Sequence, residues 1–214
     1  MTKSRLRGVV VGALAGLTGV ALTCAPAAAE PAKPLTANGT EPSGKHCVIE
    51  RDDAQATVDA LQHRCTSQQI LDLFLAAPVG SAPTGTKKIA LLPAFQVSGR
   101  LLPYGQARAF TSTQNEFGDS LTFTRRGDTA WAYKNYVWGR DAGGPLISDS
   151  SRIDHKPVHA ADFSRDFAGA PISLHEYRRL TPGVWIGRDI GGSSKPSDTS
   201  ETESKPTGGA FALS

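Results

Sequence analysis

The sequence predicts a mainly β protein, an antiparallel meander that closes into a barrel or sandwich behind a disulfide-linked pair of short helices. Three observations carry this expectation. Every Phe, Tyr and Trp of the 214 residues lies at or beyond Phe74. Past that point apolar and polar residues alternate in short runs separated by Gly, Asp and Asn, as half-buried strands require. Before it, Cys47 and Cys65 bracket a segment whose apolar residues recur at helical spacing.

Residues 1–29 read as a secretory leader. Lys3, Arg5 and Arg7 precede an uncharged apolar run from Gly8 to about Thr23, and Ala27, Ala28 and Ala29 supply a small-residue cleavage site. That run is short of the roughly 20 residues a bilayer span needs, so no integral membrane segment is expected after cleavage. Cys24 raises lipidation as an alternative, but Ala21-Leu22-Thr23 is a poor lead-in for a lipidated cysteine. Cleavage implies a secreted or cell-envelope location. Three of the 23 basic residues and none of the 20 acidic ones fall in the leader, so the remainder is balanced in charge. Nucleic acid and anionic membranes are not expected as partners.

Residues 30–45 are rich in Pro, Gly, Thr and Ala and read as a flexible linker. Over 46–78, Asp52 or Asp53 can cap a helix carrying Ala54, Val58 and Leu61, and Thr66 or Ser67 can cap a second with Ile70, Leu73 and Phe74 before Pro78. With Cys24 removed, Cys47 and Cys65 form an even pair in an oxidising compartment and are expected to be bonded. The rival is a zinc site built from both cysteines with His46 and His63. Residues 79–214 should hold the sheet. Strands are expected over 88–92, 107–113, 120–125, 129–138, 145–148, 157–163 and 184–190, with a strong hairpin turn at Arg126-Gly127-Asp128. Residues 191–207 read as a mobile loop, and Phe211 and Leu213, alternating with alanines, as a last strand beside Val184 and Ile186.

Between about Ile70 and Ile190 the chain carries Ala77-Pro-Val-Gly-Ser-Ala-Pro-Thr-Gly85, Asp162-Phe163, Glu176-Tyr-Arg178 and Pro182-Gly-Val-Trp-Ile-Gly187. In these it resembles a family of small bacterial and fungal proteins with an Asp-aromatic strand, an Asp-Glu-x-Arg-like segment and a Pro-Gly-aliphatic-aromatic-Leu-Gly motif. The resemblance implies a lipocalin-like barrel and brings no established activity. His175 stands where that family has an acid, and Asp154-His155 replaces an Asp-Gly turn.

Several residues invite chemistry. His155, His159, Asp162, His175 and Glu176 lie close in sequence, but Pro157 excludes a helix, and on a strand His155 and His159 sit about 13 Å apart, too far for one ion. No metal and no cofactor is expected. No Gly-x-Ser-x-Gly turn is present, although His159 or His175 could meet Asp162 in space. Arg178 is expected to pair with Asp162 or Glu176, either to fasten the segment before Pro182 or to contact a ligand's head group. Trp131 and Tyr133 share one strand face and Tyr136 and Trp138 the other, so one pair should line the interior. The candidate ligand-binding residues are therefore Trp131, Tyr133, Asp162, Glu176 and Arg178. The function expected is an exported, non-enzymatic domain binding a small apolar or amphipathic molecule. The alternatives are a secreted hydrolase or lyase using Asp162, Glu176 and a histidine, or a structural secreted protein. Composition says nothing of the oligomeric state.

Overall fold

The computed structural model describes residues 39–114, 118–163, 174–191 and 206–214. The leader, most of the linker and most of the loop read over 191–207 lie outside the described residues.

Two helices come first. In α1 (Ala54–His63) the Asp53 carboxylate accepts from Ala56 N at 2.8 Å, and α2 (Ser67–Ala76) opens with a reciprocal capping box between Thr66 and Gln69. Each cap satisfies backbone donors that the first turn leaves without a helical partner. Val58 and Leu61 of α1 and Ile70 and Phe74 of α2 form the apolar faces expected. The Cys47–Cys65 disulfide ties the chain ahead of α1 to the junction between the helices. Thiol titration of unreduced protein is expected to find neither sulfur free. Cys47→Ser should raise amide exchange over 46–76 far more than in the sheet, because the constraint it removes is local.

The sheet contains β1 (Gly85–Val97), β2 (Arg100–Leu101), β3 (Gly118–Arg126), β4 (Thr129–Tyr136), β5 (Gly139–Arg140), β6 (Gly144–Ser150), β7 (Pro157–Asp162), β8 (Leu174–Thr181), β9 (Val184–Ile190) and β10 (Gly208–Leu213). Eight of them run antiparallel in the order β1-β3-β4-β6-β7-β8-β9-β10, and β10 returns to pair with β1 from Ile89↔Leu213 to Leu92↔Ala210. The result is a closed eight-stranded barrel, with β2 and β5 as two-residue ribbons on β1 and β4. The terminal strand expected from 208 onward is the one that closes it.

One expected strand is a helix. Residues 107–113 belong to α3 (Tyr104–Gln114), which packs on β1 with the Phe110 and Phe95 rings edge to face at 4.7 Å. Alternating Ala and Thr suggested a strand, but the buried Tyr104, Ala107 and Thr111 recur at three and four residues, the helical period. Pro103 starts the turn, its carbonyl accepting from Gln106 N and Ala107 N.

The barrel wall is buried on both faces over part of its circumference. Inside are Leu121, Phe123, Ala132, Leu146, Ala161, Phe163, Tyr177, Trp185, Phe211 and Leu213. Outside, α1 and α2 cover Leu92, Ala94, Val158, Ala160, Val184, Ile186, Ala210 and Ala212. Gly187 faces Phe211 across the β9–β10 pair, and a Cβ there would lie 2.3 Å from the Phe211 ring. Among the described residues no helix is long and apolar enough to cross a membrane.

The two ends of the barrel differ. At one, β3–β4 and β8–β9 are joined by two-residue turns, and the chain leading into β1 crosses over: Trp185 Nε1 donates to Ser81 O at 2.8 Å and Arg179 N to Pro78 O at 3.0 Å. At the other, the connections β1–β3, β4–β6, β7–β8 and β9–β10 are all longer.

Candidate functional site

The inward positions at the long-connection end are polar. His175 follows Leu174 at the start of β8 and stands opposite Asp189 of β9, both on the face that carries Tyr177. Lys134 of β4 lies opposite Leu121, which places its side chain inside as well. His175 Nδ1 is 3.2 Å from Tyr177 Oη, and Nε2 is 3.8 Å from Asp189 Oδ2. A carboxylate facing Nε2 favours a proton on that nitrogen, which leaves Nδ1 to accept from the Tyr177 hydroxyl. Aromatic rings complete the walls. His175 lies 4.8 Å from both Phe163 and Phe211, Tyr177 meets Phe123 and Phe211 edge to face, and Lys134 Nζ sits 4.4 Å above the Phe163 ring. The side chain of Asp189 is 37% exposed and that of His175 only 4%, so the cluster runs from the barrel mouth inward.

Burial pushes His175 well below the ordinary imidazole range, and the Lys134 charge adds to this. The Asp189 carboxylate favours the imidazolium, but at 3.8 Å and partly exposed it is outweighed by burial. Burial likewise pushes Tyr177 well above the usual phenol range, helped by Asp189 and Asp141. Both groups are neutral at pH 7. They can exchange hydrogen bonds with a ligand head group while the surrounding rings take its apolar part.

Because the unfolded chain binds a proton on His175 below about pH 6.5 and the folded chain does not, stability is full above that pH. It falls as pH drops toward the depressed folded value, by at most about 1.4 kcal/mol per pH unit from this group. Urea unfolding at pH 7.5, 6.5 and 5.5 is expected to show this slope, and His175→Phe to flatten it. An equal slope in the variant would mean that His175 is accessible to protons in the folded state.

The residues singled out from sequence lie elsewhere. Trp131 and Tyr133 share a face as expected, but pairing of Phe123 with Ala132, and of Thr124 and Thr122 with Trp131 and Tyr133, puts both on the outer wall. There Arg126 and Arg140 lie over the Trp131 and Tyr133 rings, and Trp131 Nε1 donates to Ala142 O at 3.2 Å. Tyr136 and Trp138 stack at 4.8 Å at the β4–β5 hairpin, with Trp138 exposed. Among the described residues Phe123, Phe163, Tyr177, Trp185 and Phe211 supply interior rings.

Glu176 and Arg178 alternate with His175 and Tyr177 and so face outward, where Arg178 meets α2. Asp162, next to the inward Ala161, also faces outward, half-buried at the end of β7. The expected pairing of Arg178 with Asp162 or Glu176 is replaced by a bidentate pair with Asp154, from the turn after β6. Burial alone would raise Asp154, but the Arg178 hydrogen bonds and charge hold it below the usual carboxylate range. Glu176 instead accepts from Ser151 Oγ at 2.6 Å and Arg152 N at 2.8 Å, and burial still raises it. Across the β8–β9 pair from Glu176 is the buried Arg188, which burial lowers to about 10 and which donates to Gln96 Oε1 at 2.8 Å. Asp162 and Glu176 are thus separated by the barrel wall from His175. His159 reaches Gly80 O at 3.1 Å at the turn end, and the exposed His155 sits in the turn beside Asp154.

The site that does assemble was only partly visible in the sequence. His175 was one of the candidates, but no strand was expected over 174–181, so its shared face with Tyr177 and its separation from Glu176 emerge only with β8. Asp189 and Lys134 come from other strands, and only the register reveals them.

The class defined by this architecture is a closed eight-stranded antiparallel barrel with a disulfide-tied helical pair on its outer wall. No family model, no curated protein and no solved structure matches the chain.

Proposed function

We propose that this chain is an exported binding domain that takes a small amphipathic molecule at the long-connection end of its barrel, as lipocalin-like proteins do. The observation that carries the reading is the neutral His175–Tyr177 pair, set among aromatic rings beneath the barrel mouth with Asp189 and Lys134 beside it. Eight strands enclose an interior just wide enough for side chains or one small ligand, and a few convergent polar groups in an aromatic wall suit an amphipathic head group. The leader-like N-terminus and the disulfide support export. Against the alternative of a hydrolase or lyase using Asp162, Glu176 and a histidine, both carboxylates face outward while His159 and His175 lie on the inward face with Tyr177.

Native mass spectrometry of protein secreted by its own host tests both parts. The expected species begins at Glu30 and carries a retained small molecule. Tyr177→Phe keeps the ring and removes the hydroxyl, and about tenfold weaker retention is expected, equivalent to about 1.4 kcal/mol. A bare mass, with no thermal shift from amphiphiles of any head-group charge, would overturn the ligand-binding reading in favour of a structural secreted protein.

A further inference from the structure

The sequence placed His46 and His63 beside the two cysteines as a metal-binding alternative to the disulfide. With the sulfurs bonded to each other the thiolate ligands are gone, but the histidines remain together. Both histidines line one cleft of about 330 Å³, with Pro42, Ser43 and Arg64. We propose that His46 and His63 form a surface site for a borderline divalent metal ion, copper(II) ahead of zinc(II), with its remaining positions open to water.

The disulfide pre-organises the pair. It holds Cys47, the neighbour of His46, and Cys65, two residues past His63, with Cα atoms 4.5 Å apart. The two histidine-bearing segments therefore cannot separate, and both histidines are exposed. Local electrostatics favour a cation. His63 is in the last turn of α1, where the helix carbonyls present partial negative charge. Arg64, the other charged group in the lining, pairs with Asp59 at 2.9 Å, so its charge is balanced in place. Among the described residues no group of three His, Cys, Asp or Glu side chains converges, so the protein supplies two nitrogens. That is too few for a structural zinc site, which takes four ligands. It suits copper(II), which stands above zinc(II) for nitrogen and oxygen donors and accepts a tetragonal set completed by water.

The test is copper(II) titration of the oxidised chain beginning at Glu30, which holds no free thiol, read by a competing chelator and by electron paramagnetic resonance. One ion per chain is expected, with nitrogen hyperfine structure from two imidazoles and zinc(II) at least tenfold weaker. His46→Ala and His63→Ala should each weaken copper binding at least tenfold without changing the melting temperature. His155→Asn, an exposed histidine in a left-handed turn with φ of 58°, should leave it unchanged. Binding within twofold of wild type in either alanine variant, or a spectrum showing one nitrogen, would overturn the site.

Discussion

Replacing Arg178 with alanine is expected to cost about 3 to 5 kcal/mol of unfolding free energy, the range for breaking a buried ion pair from one side. The guanidinium is 0% exposed and makes five hydrogen bonds: two to the Asp154 carboxylate and one each to Phe74 O, Pro157 O and Lys156 O. It also stacks over the Phe74 ring at 4.6 Å. Its bond to Phe74 O, with Lys156 Nζ on Leu75 O at 2.8 Å, satisfies carbonyls at the end of α2 that have no helical donor and places cations at the negative end of the helix. Loss of Arg178 therefore leaves Asp154 largely buried beside its orphaned neighbours and loosens α2 on the barrel. Urea unfolding measures the loss. A value below about 1 kcal/mol would show that the pair behaves as an exposed one. Asp154→Ala should be comparably costly, and the double variant should lose less than the sum, because each single change strands the other charge.

Deleting 208–214 is expected to abolish cooperative unfolding and to leave an aggregating product. Ala210, Phe211, Ala212 and Leu213 are almost completely buried, and removing a buried Phe or Leu side chain costs about 2 to 5 kcal/mol each. Together these approach the whole stability of an ordinary domain, about 5 to 15 kcal/mol. The deletion also strips β9 and β1 of their shared partner and exposes two strand edges that can pair with other chains. Shortening 194–205, which lies outside the described residues, should leave the melting temperature nearly unchanged, because loop-closure entropy varies slowly with length. An unaltered melting curve after deletion of 208–214 would mean that closure by β10 contributes nothing to stability.

Much of this architecture was legible in local pattern. Helix caps act on adjacent residues, so Asp52-Asp53 and Thr66-Ser67 announce α1 and α2, and the structure selects Asp53 and Thr66 as the caps. The even cysteine pair announces the disulfide, and alternation of Phe211 and Leu213 with alanines announces a strand that pairs with β9, but the register sets both side chains inside with Trp185 and leaves Val184 and Ile186 on the outer face. Alternation failed at Ala107–Thr113, where small residues satisfy both periods and the helical contacts of Tyr104, Ala107 and Thr111 decide.

By itself the sequence determined that Trp131 and Tyr133 share a face, whereas the faces shared by His175 with Tyr177 and by Glu176 with Arg178 follow only from β8, a strand the sequence reading did not expect. Which face is inside was decided only by the tertiary structure. In a sheet with one wet side the polar face points outward, but here α1 and α2 bury part of the outer wall, so both faces of β8 and β9 are desolvated and hydrophobicity cannot choose between them. Shape chooses instead. Small Ala160, Ala210 and Ala212 let the helices approach from outside, while Gly187 leaves room for the Phe211 ring within. The partner of Arg178 was equally undetermined, because Asp154, Asp162 and Glu176 offer the same carboxylate. Only the turn after β6, brought under the end of α2 by the closing of the barrel, put Asp154 within reach of both guanidinium nitrogens.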